Sequence, residues 1–384
     1  MAIYLDYAAT VPMPPEVLAV YTDALAVVGN PSSIHSFGQS ARQIVEESRE
    51  AIALAVNADR NEVIFTSGGT EGNNLAVKGI YWERNKEFTS RKKIVSAYTE
   101  HHAVIDAIEW LEKHEGVEAI WVPVSEEGEI DFDWYRNYLS EHSDEIALVT
   151  FMLANNETGI ITDLKKFVAM AKDHGIPTHS DAVAAFGHIP IDFAELGLDT
   201  MAISAHKVGG PVGVGALLVS RSTKITSLIQ GGGQERGIRS GTLNAAGAKA
   251  FAFAAEKALK SMDSHNLHTR KLVEQIRQTV GQQIPGARFS RGGQPGLPHN
   301  AHFTFEDAKS DSLLFLLDQA GYAASAGSAC QAGVARPSHV LLAMGRTEAE
   351  ANGTLRFTVS ESTSEAEVQQ LLEILPDIVA TARA

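Results

Sequence analysis

Through the first two thirds of the chain, short apolar runs rich in β-branched residues alternate with longer stretches whose apolar positions recur every three or four residues. The pattern predicts strands over Glu62–Thr66, Lys93–Tyr98, Ala119–Val124, Ala147–Met152, Ile176–Ser180, Met201–Ser204 and Val214–Ser220. Between them it predicts helices over Ala41–Val56, Gly72–Glu83, Ala103–His114 and Leu164–His174, with Gly175 where the last of these stops. Strand, crossover helix, strand specifies an α/β domain around a mostly parallel sheet. Ligands of such sheets bind beyond the C-terminal ends of the strands, so the residues just after each strand carry the candidate chemistry.

From about Met262 the texture changes. A long polar helix (His265–Gln283) leads through the Gly/Pro-rich segment Arg291–Pro298 to an edge-like strand (His302–Phe305) and a helix (Asp311–Ala320). A loop with Cys330, a helix (Ser338–Met344), a strand (Thr354–Val359) and a C-terminal helix from Glu365 follow. This reads as a smaller α+β domain. The expected division is an N-terminal segment (1–14) packing with the small domain, a large domain (15–260) and a small domain (261–384). Gln230–Thr242, with five glycines, reads as a functional loop.

Composition narrows the class. The 384 residues exceed one typical domain. With 32 basic against 47 acidic residues, the net charge of −15 repels phosphate backbones and anionic lipid, so neither stable nucleic-acid binding nor membrane binding is expected. Apolar runs such as Val214–Val219 fall far short of the roughly 20 residues a membrane span needs. The opening MAIYLDYAATVP has no basic region followed by an apolar one, and a soluble, cytoplasmic protein is expected. The single cysteine, Cys330, excludes an internal disulfide and a cysteine-based zinc cluster and fits a reducing compartment; no metal is expected.

Four strand ends carry polar chemistry. Phe65-Thr66-Ser67-Gly68-Gly69-Thr70-Glu71 joins strand to helix through small residues. It suits either an anion at the helix N-terminus or a plain turn capped by Thr70. Neither a Walker pattern nor G-x-G-x-x-G opens any helix. Ser204-Ala205-His206-Lys207 puts a lysine one turn beyond a buried strand; desolvation there would make it a nucleophile, solvation an ordinary loop residue. In Thr178-His179-Ser180-Asp181 the aspartate is a helix cap or the partner of a ring nitrogen, and Asn155–Gly159 suits turns and carboxylate sites alike. A phosphate cradle, an aspartate and a lysine at separate strand ends are what pyridoxal 5'-phosphate requires. Glu100-His101-His102 adds an imidazole that can stack on its ring or simply cap a helix.

These segments, with Tyr4–Thr10, Gly231–Thr242 and Gly327-Ser328-Ala329-Cys330, resemble the cysteine desulfurases of the class V aminotransferase superfamily, in the group that serves iron-sulfur cluster assembly. The resemblance runs to about Ser360. It implies the fold-type I architecture of PLP-dependent transferases, a large mostly parallel sheet domain with a smaller α+β C-terminal domain. It also implies conversion of L-cysteine to L-alanine, with a persulfide on Cys330 passed to an acceptor such as an iron-sulfur scaffold or a tRNA-thiolating enzyme.

Carried over residue by residue, Lys207 would bond to the cofactor aldehyde, Asp181 would pair with the ring nitrogen and His101 would stack on the ring. Gly69, Thr70, Ser204 and His206 would hold the phosphate. Thr242 would complete the phosphate site of a second subunit, implying a homodimer. Asn156 and Arg356 would bind the substrate carboxylate, and Cys330, in the Ala/Gly/Ser-rich segment 323–335 read as a mobile arm, would accept sulfur. A class V aminotransferase, or a lyase of the same fold such as a selenocysteine lyase, is the alternative and has no need of Cys330. A non-catalytic partner in sulfur assembly is a further one. One departure stands out: the family reads Asp-Ala-x-Gln where this chain has Asp181-Ala182-Val183-Ala184, so the Gln donor to the cofactor's phenolic oxygen is missing.

Overall fold

The computed structural model describes residues 2–327 and 336–384; of the expected mobile arm 323–335, residues 323–327 are described and pair with their neighbours, while Cys330 and the rest of 328–335 lie outside the described residues. The elements run β1 (Ile3–Tyr4), α1 (Pro15–Leu25), α2 (Ser36–Ala55), β2 (Val63–Thr66), α3 (Gly69–Glu87), β3 (Lys93–Ser96), α4 (His102–Glu115), β4 (Glu118–Trp121), α5 (Phe132–His142), β5 (Ile146–Thr150), α6 (Leu164–Asp173), β6 (Thr178–Asp181), α7 (Phe193–Leu196), β7 (Thr200–Ser204) and β8 (Gly215–Val219). There follow α8 (Ala245–Gln283), β9 (Ala287–Phe289), β10 (Asn300–Phe305), α9 (Ser310–Gln319), β11 (Tyr322–Ala323), α10 (His339–Ala343), α11 (Glu348–Asn352), β12 (Thr354–Thr358) and α12 (Glu365–Arg383).

Seven strands form the large sheet in the order β2-β8-β7-β6-β5-β3-β4. Only β8 runs against its neighbours; the rest are mutually parallel. Strands β5 to β8 are buried along their whole length, as a sheet covered by helices on both faces demands. The parallel strands bring Thr66, Ser96, Thr150, Asp181 and Ser204, their last residues, to one edge of the sheet. That edge carries the site.

The C-terminal part holds the antiparallel sheet β12-β10-β9. Here the sequence expectation of an edge strand at 302–305 is corrected: β10 is central and buried throughout. Its alternation of polar Asn300, His302 and Thr304 with apolar residues imitates a half-exposed strand. The polar face is instead covered, His302 Nδ1 lying 2.7 Å from Ser290 Oγ and Asn300 Nδ2 donating to the Glu157 carbonyl at 3.1 Å.

The long helix also differs from expectation, starting at Ala245 rather than His265. Its first half, with Phe251, Ala252 and Ala255, belongs to the large sheet's core, and its second half, with Leu272, Ile276 and Val280, to the C-terminal core. The Ala-rich first half lacks the wide apolar stripe that marks a helix in sequence. At the other terminus, β1 pairs in parallel with β11, and Leu5 is buried in the C-terminal core beside Phe357 and Val359.

Candidate active site

The turn from β2 into α3 has no side-chain cap. The cap position is Gly68, at φ 150°, and Thr70, the expected cap, is exposed inside the helix. Backbone packs closely around it: a Cβ on Gly215 would lie 2.7 Å from the Gly68 Cα, and a Cβ on Gly69 would lie 2.5 Å from Val183 Cγ2. Because Gly215 pairs with Ser204 in the sheet, Ser204 arrives beside the same turn. A helix N-terminus without a side-chain acceptor, approached by Ser204 and Thr70, is suited to a phosphate.

Asp181 is buried at the end of β6, its Oδ1 accepting from the Val183 N–H at 2.9 Å and its Oδ2 from Asn73 Nδ2 at 2.5 Å. His101 caps α4, its Nδ1 accepting from the Ala103 N–H at 3.0 Å. The capping role is thus real and leaves the ring proton on Nε2, a donor. Burial lowers the His101 pKa, with the Asp181 charge opposing and the Lys207 charge reinforcing the shift.

The Lys207 ammonium donates to the Ala8 and Ala9 carbonyls at 2.6 and 3.0 Å. Beside it, burial and then the Lys207 charge push His206 down to about 4, so this ring is neutral near pH 7. Its Nδ1 lies 3.4 Å from Thr10 Oγ1. Glu100 is fully buried and accepts from the Met152 N–H at 2.5 Å, and burial pushes its carboxyl well above the usual range.

The other end of the site is assembled by Arg356 on β12. Its guanidinium donates to Asp6 Oδ1 at 2.9 Å and to the Asn156 carbonyl at 2.7 Å, while the buried Nε has no partner among the described residues. Asn156 therefore meets Arg356 through its backbone. Asn155, next to it, folds the turn by accepting from the Glu157 and Thr158 N–H groups at 2.9 and 2.8 Å. The Arg356 backbone bridges to Ser325, two residues before Gly327. Glu157 accepts from Ser338 Oγ at 2.5 Å, and a Cβ on Gly327 would lie 3.1 Å from Glu157 Oε2. The segment holding Cys330 thus begins and ends against Glu157.

Thr242 is exposed and lines, with Thr66, Ser67 and Arg239, a cavity of about 120 Å³ on the outer side of the β2–α3 turn. Its loop is stapled to that turn. Glu235 sits in a left-handed conformation at φ 47° and takes both Arg49 nitrogens at 2.8 and 2.6 Å, and Arg239 pairs with Glu71 at 2.8 Å. Sequence reasoning gave no role to Asp6, Asn73, Glu157 or the Ala8–Ala9 carbonyls. Local signals existed for Asp6, a lone charge in an apolar opening segment, and for Glu157, inside the polar cluster Asn155–Gly159.

The model of the aminotransferase class-V family matches residues 3–371. The chain belongs to that family. Within it, the chain is 45% identical over 381 residues to an IscS-like cysteine desulfurase of Mycobacterium tuberculosis, covering 99% of this chain and 97% of the relative. It is 40% identical to the cysteine desulfurase IscS of Dictyoglomus turgidum, over 98% of this chain and 94% of that protein. Among solved structures, a NifS-like protein superposes with a TM-score of 0.90 at 30% identity, covering 99% of this chain and all of that one. The class-V resemblance therefore spans all three sheets of the described residues and every residue of the candidate site.

Proposed function

We propose that this class-V family member is a pyridoxal-phosphate-dependent cysteine desulfurase, converting L-cysteine and the Cys330 thiol to L-alanine and a Cys330 persulfide. The observation that carries the reading is the set of groups at one edge of the sheet: Asp181 held by Asn73 of α3, Ser204 beside the uncapped Gly68 turn with Lys207 three residues on, His101 at the start of α4, and Arg356 bridged to Ser325 where the Cys330 segment begins. The family's relatives named cysteine desulfurase support it, as does a similar solved structure described as SspA in complex with cysteine, 29% identical with a TM-score of 0.79 over 93% of this chain and 98% of that one.

The residues fit the cofactor. The α3 N-terminus with Gly69, Thr70 and Ser204, joined by His206, would hold the phosphate; Asp181 keeps lone pairs free for the ring nitrogen; Lys207 would bond to the aldehyde; and His101 would stack on the ring. When bound, the cofactor supplies an electron sink for charge developing at the substrate Cα. The Lys207 amine, once released by substrate, takes the Cα proton. His101, held with its proton on Nε2, donates rather than accepts. Arg356 offers its fork to the substrate carboxylate, which then shares the guanidinium with Asp6. The Cys330 thiolate attacks the substrate sulfur, its S–S bond forming as the substrate C–S bond breaks.

A homodimer is part of this reading, with Thr242 completing the partner's phosphate site. The exposed apolar side chains of Leu25, Val28, Ile34 and Phe37 support it, since they surround the Pro31–Ser32 loop that shares a cavity of about 320 Å³ with Gly233–Arg236. No helix among the described residues is long and apolar enough to cross a membrane. A cytoplasmic location, a sulfur-acceptor protein as partner and a division into large (15–260) and small (261–384) domains complete the proposal.

Mass spectrometry after adding L-cysteine tests it: alanine should appear and a persulfide should map to Cys330. Cys330→Ser should stop sulfide release while preserving the cofactor's visible band and its change on adding L-cysteine. A serine variant releasing sulfide at the wild-type rate would replace this reading with the lyase.

A further inference from the structure

Behind Asp181 lies a buried polar chain. Asn73, on the first turns of α3, donates to Asp181 Oδ2 at 2.5 Å, and its Oδ1 lies 3.0 Å from His179 Nε2. On the far side, His179 Nδ1 lies 2.9 Å from Thr200 Oγ1 on the neighbouring strand. Asn73 and His179 are each 1% exposed and Thr200 is fully buried, so water competes for none of these bonds.

The polarity of the chain follows from charge. An ionised Asp181 requires a donor, which turns the Asn73 NH₂ toward it and the amide oxygen toward His179. Burial drives His179 down to about 3 and keeps the ring neutral, so its single proton must sit on Nε2 to meet that oxygen. Nδ1 is then bare and accepts from the Thr200 hydroxyl. In the reverse orientation, the Asn73 carbonyl would face the Asp181 carboxylate.

Helix packing explains the reach. A Cβ on Gly72 would stand 3.2 Å from Ala202 Cβ, so α3 approaches the sheet closely enough for the next residue to touch the end of β6. The helix whose N-terminus forms the anion seat therefore also holds the carboxylate.

We propose that Asn73, oriented by His179 and Thr200, is a positioning residue that aims the Asp181 carboxylate toward the cofactor ring nitrogen. This rests on the pyridoxal phosphate reading of the site. It makes α3 a rigid bracket for both ends of the cofactor.

The test uses the full-length protein, stripped of cofactor and titrated with pyridoxal phosphate. It reads the dissociation constant, the pH midpoint of the bound cofactor's visible band, and the thermal midpoint without cofactor. Asn73→Ala should weaken cofactor binding roughly ten- to hundredfold, the worth of one hydrogen bond to a charged group, and displace the pH midpoint. Thr200→Val should move both in the same direction by less, and Thr200→Ser, which keeps the hydroxyl, should restore wild-type values. Should Asn73→Ala not fold, the Thr200 pair decides. Wild-type affinity and pH midpoint in Asn73→Ala, or equal behaviour of the two Thr200 variants, would overturn the proposal and leave the cofactor reading intact. A wild-type protein that takes up no pyridoxal phosphate would overturn both.

Discussion

At the proposed cofactor end of the site, Thr66, Asp181 and Ser204 are the last residues of parallel strands in one sheet, and each sits within a few residues of the turn that positions it. At the proposed substrate end, Arg356 meets Asp6 across 350 residues of chain and Asn156 across 200. The first end inherits its geometry from a rigid, fully covered sheet. The second depends on the N-terminal segment, the large domain and the C-terminal sheet staying in register with one another. Cofactor binding and substrate binding should therefore fail separately under mutation, the first through local chemistry and the second through long-range assembly.

The largest expected effect is at the cofactor end. Lys207→Ala removes the amine proposed to take the Cα proton, and turnover should fall about a thousandfold or more. The fold should persist, because the side chain is only half-buried and its ammonium donates to the Ala8 and Ala9 carbonyls of the N-terminal segment. Desulfuration rate and thermal midpoint check this together; normal turnover would end the reading.

At the substrate end, Arg356→Lys retains a charge but loses the planar fork that spans Asp6 and Asn156. KM for L-cysteine should rise on the order of tenfold to a hundredfold, with cofactor affinity unchanged. A variant that loses cofactor rather than substrate would show that the two ends are not separable.

Gly327→Ala probes the seam between them. Gly327 sits at φ 80°, and an added Cβ would lie 2.9 Å from His302 Nε2, in a buried place with no room to yield. A loss of about 1–3 kcal/mol in chemical denaturation is expected, with sulfide release falling more than cofactor binding.

The smallest effect is a change of tuning. Ala184→Gln restores a donor toward the cofactor's phenolic oxygen, stabilising its charged form, so the pH midpoint of the visible band should move down. An unmoved midpoint would mean another group already supplies that bond.

Periodicity and strand-end chemistry pick out the groups of the proposed cofactor end, because each element there is local: a β-branched run, a small-residue turn, a helix start. Asp181, Lys207 and His101 could be named from neighbours a few residues away. The Asn73–His179–Thr200 chain could not. Its members stand 106 and 21 residues apart, and nothing near Asn73 in sequence says that Gly72 lets its helix press against Ala202.

Local pattern also misled where burial reversed its meaning. The alternating polar residues of β10 look solvent-facing, yet Ser290 and the Glu157 carbonyl cover them. The alanine-rich start of α8 looks featureless, yet small side chains are what allow α1 and α2 to lie against it. By itself, the sequence determined the alternation of strands and helices, the order of the strand-end groups and the family they belong to, since these follow from short-range propensity and residue chemistry. Tertiary structure alone decided which distant groups meet: Asp6 with Arg356, Glu157 with both flanks of the Cys330 segment, and Asn73 with Asp181. Hydrogen bonds and ion pairs act over about 3 Å, and only the packing of the whole chain brings such partners within that range.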